Sequence, residues 1–71
     1  MKNVDDLIYD LIFNESDSYK IDIAEYIDDI YQYEDFVSEM KSVLKKSKVK
    51  ILESEVRLDS KTAVWNLKVK K

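Results

Sequence analysis

The segment VKILESEVRLDSKTAVWNLKVK, residues 49–70, alternates apolar and polar residues on either side of a short polar run. A period of two is typical of β-strands that bury one face. The polar run, Asp59 to Thr62, contains residues that favour turns. We therefore predict two strands, over about 49–58 and 62–70, that pair as an antiparallel β-hairpin.

The pairing register of this hairpin follows from its apolar faces. When paired residue numbers sum to 121, the apolar faces of both strands coincide and Glu53 lies opposite Lys68 on the outer face. Because the chain has no glycine, a four-residue loop built on a type I turn is favoured over a type I′ turn. The predicted apolar pairs are Leu58 with Ala63, Val56 with Trp65, and Leu52 with Val69.

Upstream of the hairpin, the start of the chain has the periodicity of an amphipathic helix over about residues 3–14. Apolar residues recur three and four positions apart, which places them on one helical face. Asn3 is a suitable N-cap, and Asp5 and Asp6 lie where the helix dipole favours negative charge. The apolar face consists of Val4, Leu7, Ile8, Leu11 and Ile12.

Two further apolar stripes predict helices over about 22–31 and 34–46. Asp22, with Glu25 three positions later, forms an acidic variant of the capping box. We place a break near residues 32–35, but no glycine or proline enforces it, so one continuous helix over 22–46 is an alternative. The stripes are Ile23, Ile27, Ile30 and Tyr31, then Phe36, Val37, Met40, Val43 and Leu44. The predicted fold class is α+β, with a three-helix N-terminal part (two-helix in the alternative) followed by the C-terminal antiparallel β-hairpin.

The order of these elements resembles the winged helix-turn-helix domain: helix, short extended piece at Tyr19–Ile21, helix, turn, helix, strand, wing-like turn, strand. The resemblance spans most of the chain and includes Ala24 early in the second helix, Ile27 on its packing face and Trp65 in the terminal hairpin. It implies a winged-helix-like fold and DNA binding, with the third helix in the major groove and the hairpin loop beside the backbone. That reading helix would run from about Tyr33 to Lys46.

Acidic residues at the start of the reading helix depart from the pattern of DNA-binding members. Glu34, Asp35 and Glu39 would bring negative charge toward phosphates, whereas affinity for DNA comes mostly from neutralising them. The outward residues of that helix would be Asp35, Ser38, Glu39, Ser42, Lys45 and Lys46. Contact with a duplex would then fall to the basic hairpin, through Lys61, Lys68, Lys70 and Lys71.

The composition argues against several classes of function. The chain has 71 residues and contains no cysteine, histidine, glycine or proline. Disulfides, the usual zinc ligand sets, the commonest general base and phosphate-cradling glycine loops are therefore excluded. A chain of this size buries only roughly 60% of its unfolded surface, which leaves little core for a cleft that shifts pKa values. We expect no enzyme activity, no metal site, no cofactor, no membrane span and a cytoplasmic location.

The net charge of −3 conceals two oppositely charged halves. Residues 1–40 hold twelve acidic residues against Lys2 and Lys20, a balance of −10, and residues 41–71 hold ten basic residues against three acidic ones, a balance of +7. Such asymmetry concerns partners rather than fold. We predict an acidic face on the first two helices, for which an ordinary solvated surface is the alternative interpretation. The face comprises Asp6, Asp10, Asp22, Glu25, Asp28 and Asp29.

Aromatic residues accompany these acids on the first helix. Tyr9 and Phe13 lie opposite the apolar stripe, beside Asp6 and Asp10, and exposed aromatic residues suit a protein contact. The alternative is that the helix ends early and Phe13 folds back into the core. For Tyr31 we favour a core position.

These features favour a small non-catalytic protein-binding module whose acidic helical face docks on a basic protein that handles nucleic acid. Carboxylates one helical turn apart stand about 5–6 Å from each other, similar to successive phosphates along a strand. In size and charge the chain is similar to phage-made inhibitors such as anti-CRISPR and anti-restriction proteins. Two alternatives stay open. One is a winged-helix transcriptional regulator that binds duplex DNA through its basic hairpin. The other is a homodimer in which the acidic half of one chain faces the basic half of another.

Overall fold

The chain folds as two α-helices packed on one face of a three-stranded antiparallel sheet. A computed structural model describes residues 1–71. The strands lie in the order β1–β3–β2, so the last strand is central. In chain order the elements are α1 (Val4–Phe13), β1 (Ser18–Asp22), two 3₁₀ turns (Ile23–Glu25 and Ile30–Gln32), α2 (Tyr33–Lys46), β2 (Lys50–Leu58) and β3 (Ala63–Lys70).

The predicted register of the hairpin is confirmed from Glu53 to Leu58. Val56 faces Trp65, and Glu53 faces Lys68. The loop spans the four residues between the strands, and Asp59 N donates a hydrogen bond to Thr62 O at 2.9 Å. Cross-strand apolar pairing and loop length therefore agree on the same alignment.

The predicted pair of Leu52 with Val69 is wrong. The register shifts between Ile51 and Glu53, so Ile51 faces Val69 instead, and Leu52 remains 47% exposed. This is a β-bulge, in which one strand carries an extra residue and bends. Counting by twos along the sequence does not detect an inserted residue, because Ile51 and Leu52 are equally suited to the inner face.

The extended piece predicted at Tyr19–Ile21 forms part of β1, which pairs with β3 and adds a strand to the hairpin. Within β1, Ile21 faces Trp65 and Tyr19 faces Leu67 on the inner side. Antiparallel pairing on both flanks places β3 in the middle, and its side chains alternate strictly between buried and solvent-facing positions. The buried side chains of β3 are Ala63, Trp65, Leu67 and Val69.

The prediction of a three-helix N-terminal part is wrong, because residues 22–31 do not form an α-helix. Two α-helices are present, as in the two-helix alternative, but α2 begins at Tyr33 and not at Asp22. Asp22 Oδ1 accepts a hydrogen bond from Ala24 N at 3.1 Å, and Asp29 Oδ1 accepts one from Tyr31 N at 3.0 Å. Each cap opens only a single 3₁₀ turn. Side-chain acceptors of this kind compete with the hydrogen bonds of a continuous helix.

The apolar residues of segment 22–31 contact the core from an irregular backbone of turns. Ile21 and Ile23 are both buried, two positions apart, where the chain leaves β1. Ile27 and Ile30 are only partly buried against the core. Tyr31, expected in the core, is 82% exposed, so that prediction is wrong as well. In this segment, successive turns bring apolar residues to the core at intervals similar to those of a helix.

The ends of the two helices show why they form where they do. Asn3 Oδ1 accepts a hydrogen bond from Asp5 N at 2.8 Å and caps α1 as predicted. The last turn of α2 carries Lys45 and Lys46, where cations stabilise the negative end of the helix dipole. Just beyond it, Lys48 has φ of 63°, a conformation that glycine usually supplies after a helix.

Thirteen apolar residues form one core. They come from both helices, β1, β3, the turn after β1 and, with Val49, the connection between α2 and β2. Trp65 lies at its centre, fully buried, with its ring edge-on to Phe36 at 6.3 Å between centroids. The Trp65 Nε1–H group donates to Ser54 Oγ at 2.9 Å. The opposite face of the sheet is not covered by any helix. Of the β3 residues on it, Val64 is half-buried, and Asn66, Lys68 and Lys70 are exposed.

Candidate functional site

The outer face of α1 combines two aromatic rings with two carboxylates. Tyr9 and Phe13 are 64% and 67% exposed, and their ring centroids lie 4.8 Å apart. Asp6 and Asp10 are exposed as well. The four residues follow the i, i+3, i+4, i+7 spacing of one helical face, opposite the buried Leu7 and Leu11. Since α1 extends to Phe13, this ring does not fold back into the core. We call these four residues the α1 surface.

The six acids predicted as one helical face do not share a helix. Asp6 and Asp10 lie on α1, whereas the other four lie in the turns between β1 and α2. Asp22 and Asp29 serve as caps of the two 3₁₀ turns. Asp28 is exposed, and neither of the chain's two ion pairs includes its carboxylate. Among these six acids, spacing of one helical turn on an α-helix is therefore confined to Asp6 and Asp10 on α1.

Glu25 has a structural partner. Its Oε2 atom forms an ion pair with Lys2 Nζ at 3.0 Å, and its backbone carbonyl accepts a hydrogen bond from Lys2 N at 2.7 Å. The hydrogen bond to Glu25 and the charge of that carboxylate raise the pKa of Lys2 above its usual value of 10.5. The pair joins the start of α1 to the first 3₁₀ turn.

The other acids of the N-terminal half have no cationic partner. The only other ion pair in the chain joins Arg57 to Glu55, so eleven of the twelve acids in residues 1–40 are unpaired. Exposed helical faces without compensating cations lose stability through like-charge repulsion. The unpaired charge is therefore available to a cationic partner.

The basic residues predicted as a DNA contact are not brought together. Lys61 lies in the hairpin loop, and Lys70 ends β3, a strand about 26 Å long at roughly 3.3 Å per residue. Lys68 and Lys70 share the uncovered face of the sheet. Lys71 is engaged within the chain, because its Nζ group donates to Asn14 O and, at 2.7 Å, to the hydroxyl of Tyr19.

A basic cleft between α2 and β2 was not predicted. Lys41 and Lys45 lie one turn apart on α2, and Lys50 of β2 lines the same cleft. The spacing of four residues between the two α2 lysines was visible in the sequence, but the approach of β2 was not. Desolvation and the neighbouring Glu34 carboxylate raise the pKa of Tyr33, which lines the adjoining cleft. The remaining lining of the basic cleft is Ser38, Ser42, Val49 and Ile51.

No group of three or more carboxylates is close enough to hold a metal ion. Neither helix has both the length and the apolar character needed to cross a lipid bilayer. Comparisons of the chain with protein-family models, with curated proteins and with solved structures found no match.

Proposed function

We propose that the chain is a non-catalytic protein-binding module that docks through the α1 surface on a basic patch of a protein that handles nucleic acid. The observation that carries the proposal is the exposed pair of Tyr9 and Phe13, whose rings contact each other at a tilt of 41°, beside two carboxylates without cationic partners. Aromatic anchors provide much of the energy of protein interfaces, and complementary charge steers their encounter. A partner of this kind works where nucleic acid is handled, so the proposal includes a cytoplasmic location.

Competition with nucleic acid is part of the same proposal. Asp6 and Asp10, one helical turn apart, place two negative charges about 5–6 Å from each other. A cationic groove that binds phosphates can accept them, with Tyr9 and Phe13 contacting the apolar parts of that groove. This is the arrangement by which a small inhibitor would occupy a nucleic-acid site, as the analogy with phage-made inhibitors implies.

The test is capture on immobilised chain, identification of the retained proteins, and titration of each one in purified form. We expect a retained basic protein to be displaced by duplex DNA. Replacing either Tyr9 or Phe13 by Ala should weaken its binding by about thirtyfold, since an aromatic anchor is worth about 2 kcal/mol or more. Replacing Asp6 and Asp10 by Asn should weaken the binding and reduce its dependence on salt.

The matched control is Asp35→Asn with Glu39→Gln on α2, which removes the same charge from another helix. This variant should bind nearly as tightly as the unaltered chain. Equal losses in the α2 and α1 charge variants would show that only net charge matters, and this result would contradict docking through the α1 surface. Docking through the α1 surface would also be contradicted if replacing Tyr9 and Phe13 left the binding of the partner unchanged.

The second candidate is a regulator that binds duplex DNA through its basic hairpin, favoured by the exposed Lys68 and Lys70 on the uncovered face of the sheet. Labelled duplex DNA distinguishes it from the first. Binding at roughly 50 mM salt that is lost at 200 mM, and lost on replacing Lys68 and Lys70 by Gln, would favour the regulator. The leading proposal expects no binding to duplex DNA at either concentration.

A further inference from the structure

The free edge of β2 is an unpaired strand edge of nine residues. Because the sheet order is β1–β3–β2, only one edge of β2 is hydrogen-bonded to a neighbour. The backbone groups of the other edge are a template for a further strand. Leu52 and Leu58, both on β2, are 47% and 54% exposed, and they are the only exposed leucine, isoleucine or valine residues of the chain. The edge is therefore both unpaired and partly apolar.

We propose that β2 pairs antiparallel with β2 of a second copy, about a two-fold axis through Glu55, to form a continuous six-stranded sheet. In this register the numbers of paired residues sum to 110. Leu52 then lies opposite Leu58 of the second copy, and Glu53 lies opposite Arg57. Two-fold symmetry makes each of these pairs occur twice. The proposal goes beyond the docking function of the α1 surface and does not depend on it.

The side chains of these pairs lie on matching faces of the sheet. Glu53, Glu55 and Arg57 belong to the face that no helix covers, because they lie opposite Lys68, Asn66 and Val64 of β3. Glu53 and Arg57 of the other copy would therefore meet as cross-strand ion pairs on that face. Leu58 lies opposite the buried Ala63, and Leu52 stands two positions before Ser54, which faces inward to the Trp65 indole, so both leucines lie on the helical side.

The charge along α2 supports the same symmetry. The first turn of α2 carries Glu34 and Asp35, and its last turn carries Lys45 and Lys46. Clefts lined jointly by α2 and β2 show that this helix runs beside the β2 strand. A two-fold axis sets α2 of the two copies antiparallel, so the acidic start of one helix faces the basic end of the other.

One contact in this register is unfavourable. Glu55 lies on the axis and faces Glu55 of the second copy, and like charges directly opposite each other weaken strand pairing. Removing this charge should strengthen the dimer, whereas altering its neighbours in the strand should weaken it. Opposite effects of these substitutions on the dimer dissociation constant would identify the register.

The test is the mass of the protein in solution, measured by sedimentation over a range of concentrations. We expect Glu53→Arg and Arg57→Glu each to raise the dimer dissociation constant about tenfold or more, since both symmetric ion pairs become like-charge pairs. The double variant carrying both changes restores the pairing and should dimerise like the unaltered chain. Glu55→Gln should lower the dissociation constant severalfold.

Mixing the two single variants gives a sharper control. Two copies of the Glu53→Arg variant repel each other, as do two copies of the Arg57→Glu variant, but the two variants complement each other. A mixture should therefore form heterodimers at concentrations at which each variant alone is mostly monomeric. Circular dichroism of every variant verifies the fold. A chain that is monomeric at every concentration overturns the proposal. A dimer whose dissociation constant is unchanged by the substitutions at Glu53 and Arg57 overturns it as well. A dimer lost instead on replacing Asp6 and Asp10 by Asn would establish head-to-tail association of the charged halves.

Discussion

At the scale of single residues, the indole of Trp65 shows how a polar atom is accommodated in a small core. The ring is fully buried, and its N–H group has one acceptor, Ser54 Oγ at 2.9 Å. Ser54 faces inward on β2, opposite Leu67. A buried donor without an acceptor loses the hydrogen bond that it would make with water. Ser54 therefore contributes through its hydroxyl group rather than through burial of apolar surface.

Ser54→Ala is expected to lower the free energy of unfolding by about 1–2 kcal/mol, because it leaves the indole N–H group without an acceptor. The measurement is urea unfolding followed by tryptophan fluorescence. Ser54→Thr is the matched control, since it keeps the hydroxyl group and suits a strand. If the alanine variant proves as stable as the threonine variant, the hydrogen bond contributes nothing.

At the scale of elements, the segment between β1 and α2 is organised by two aspartate caps. Asp22 opens the turn Ile23–Glu25, and Asp29 opens the turn Ile30–Gln32. The second turn leads directly into α2, which has no side-chain cap of its own at Gln32. The Asp29 cap therefore also fixes the entry of the chain into α2.

Asp29→Ala is expected to destabilise the fold by about 1 kcal/mol, the usual cost of losing a capping acceptor. Asp28→Ala removes the same charge from the neighbouring exposed position, where the carboxylate caps no turn, and should leave the stability nearly unchanged. Thermal unfolding of the two variants side by side provides the comparison. Equal destabilisation would mean that charge, and not the cap, matters here.

Prediction from sequence succeeded where one periodic pattern spans a whole element. Both α1 and α2 follow their apolar stripes, and the hairpin register from Glu53 to Leu58 follows from two strand patterns that agree. Prediction failed at residues 22–31, because a helix and a series of capped turns would bury the same apolar residues. It also failed at Leu52, because a bulge depends on strand curvature that the alternation of residue types does not record.

The candidate site was predictable in part for the same reason. The helical period of α1 is enough to place Asp6, Tyr9, Asp10 and Phe13 on one outward face. The acids from Asp22 to Asp29 were assigned to a helical face that does not exist. The basic cleft between α2 and β2 joins residues from two elements, and only the tertiary structure brings those elements together.

At the scale of the whole molecule, a single core links every part of the chain to β3. Leu11 of α1 and Trp65 of β3 are far apart in sequence and both fully buried in the same cluster. A chain of 71 residues has no second core on which part of the structure could persist. Helices and sheet therefore depend on each other for their stability.

Unfolding is accordingly expected to be a single transition. Far-ultraviolet circular dichroism, which reports mainly on the helices, and Trp65 fluorescence, which reports on the sheet, should give the same midpoint in urea. Leu11→Ala should shift both midpoints together, with a loss of roughly 2–5 kcal/mol. If the helical signal were lost before the fluorescence changed, the helices and the sheet would be separate cooperative units. If the Leu11→Ala variant fails to fold, the midpoints from circular dichroism and fluorescence of the unaltered chain still show whether unfolding is a single transition.

The central position of β3 also has a consequence for the order in which the protein can be made. Both other strands form their sheet hydrogen bonds with β3 alone. When only residues 1–60 have been synthesised, two strands exist with no sheet neighbour for either. The sheet closes only after Ala63–Lys70 has emerged, so the N-terminal part, with its many negative charges, must wait in an unfolded form. Assembly of the sheet therefore follows synthesis of β3, and until then the segments of α1, β1 and β2 are open to cellular proteases.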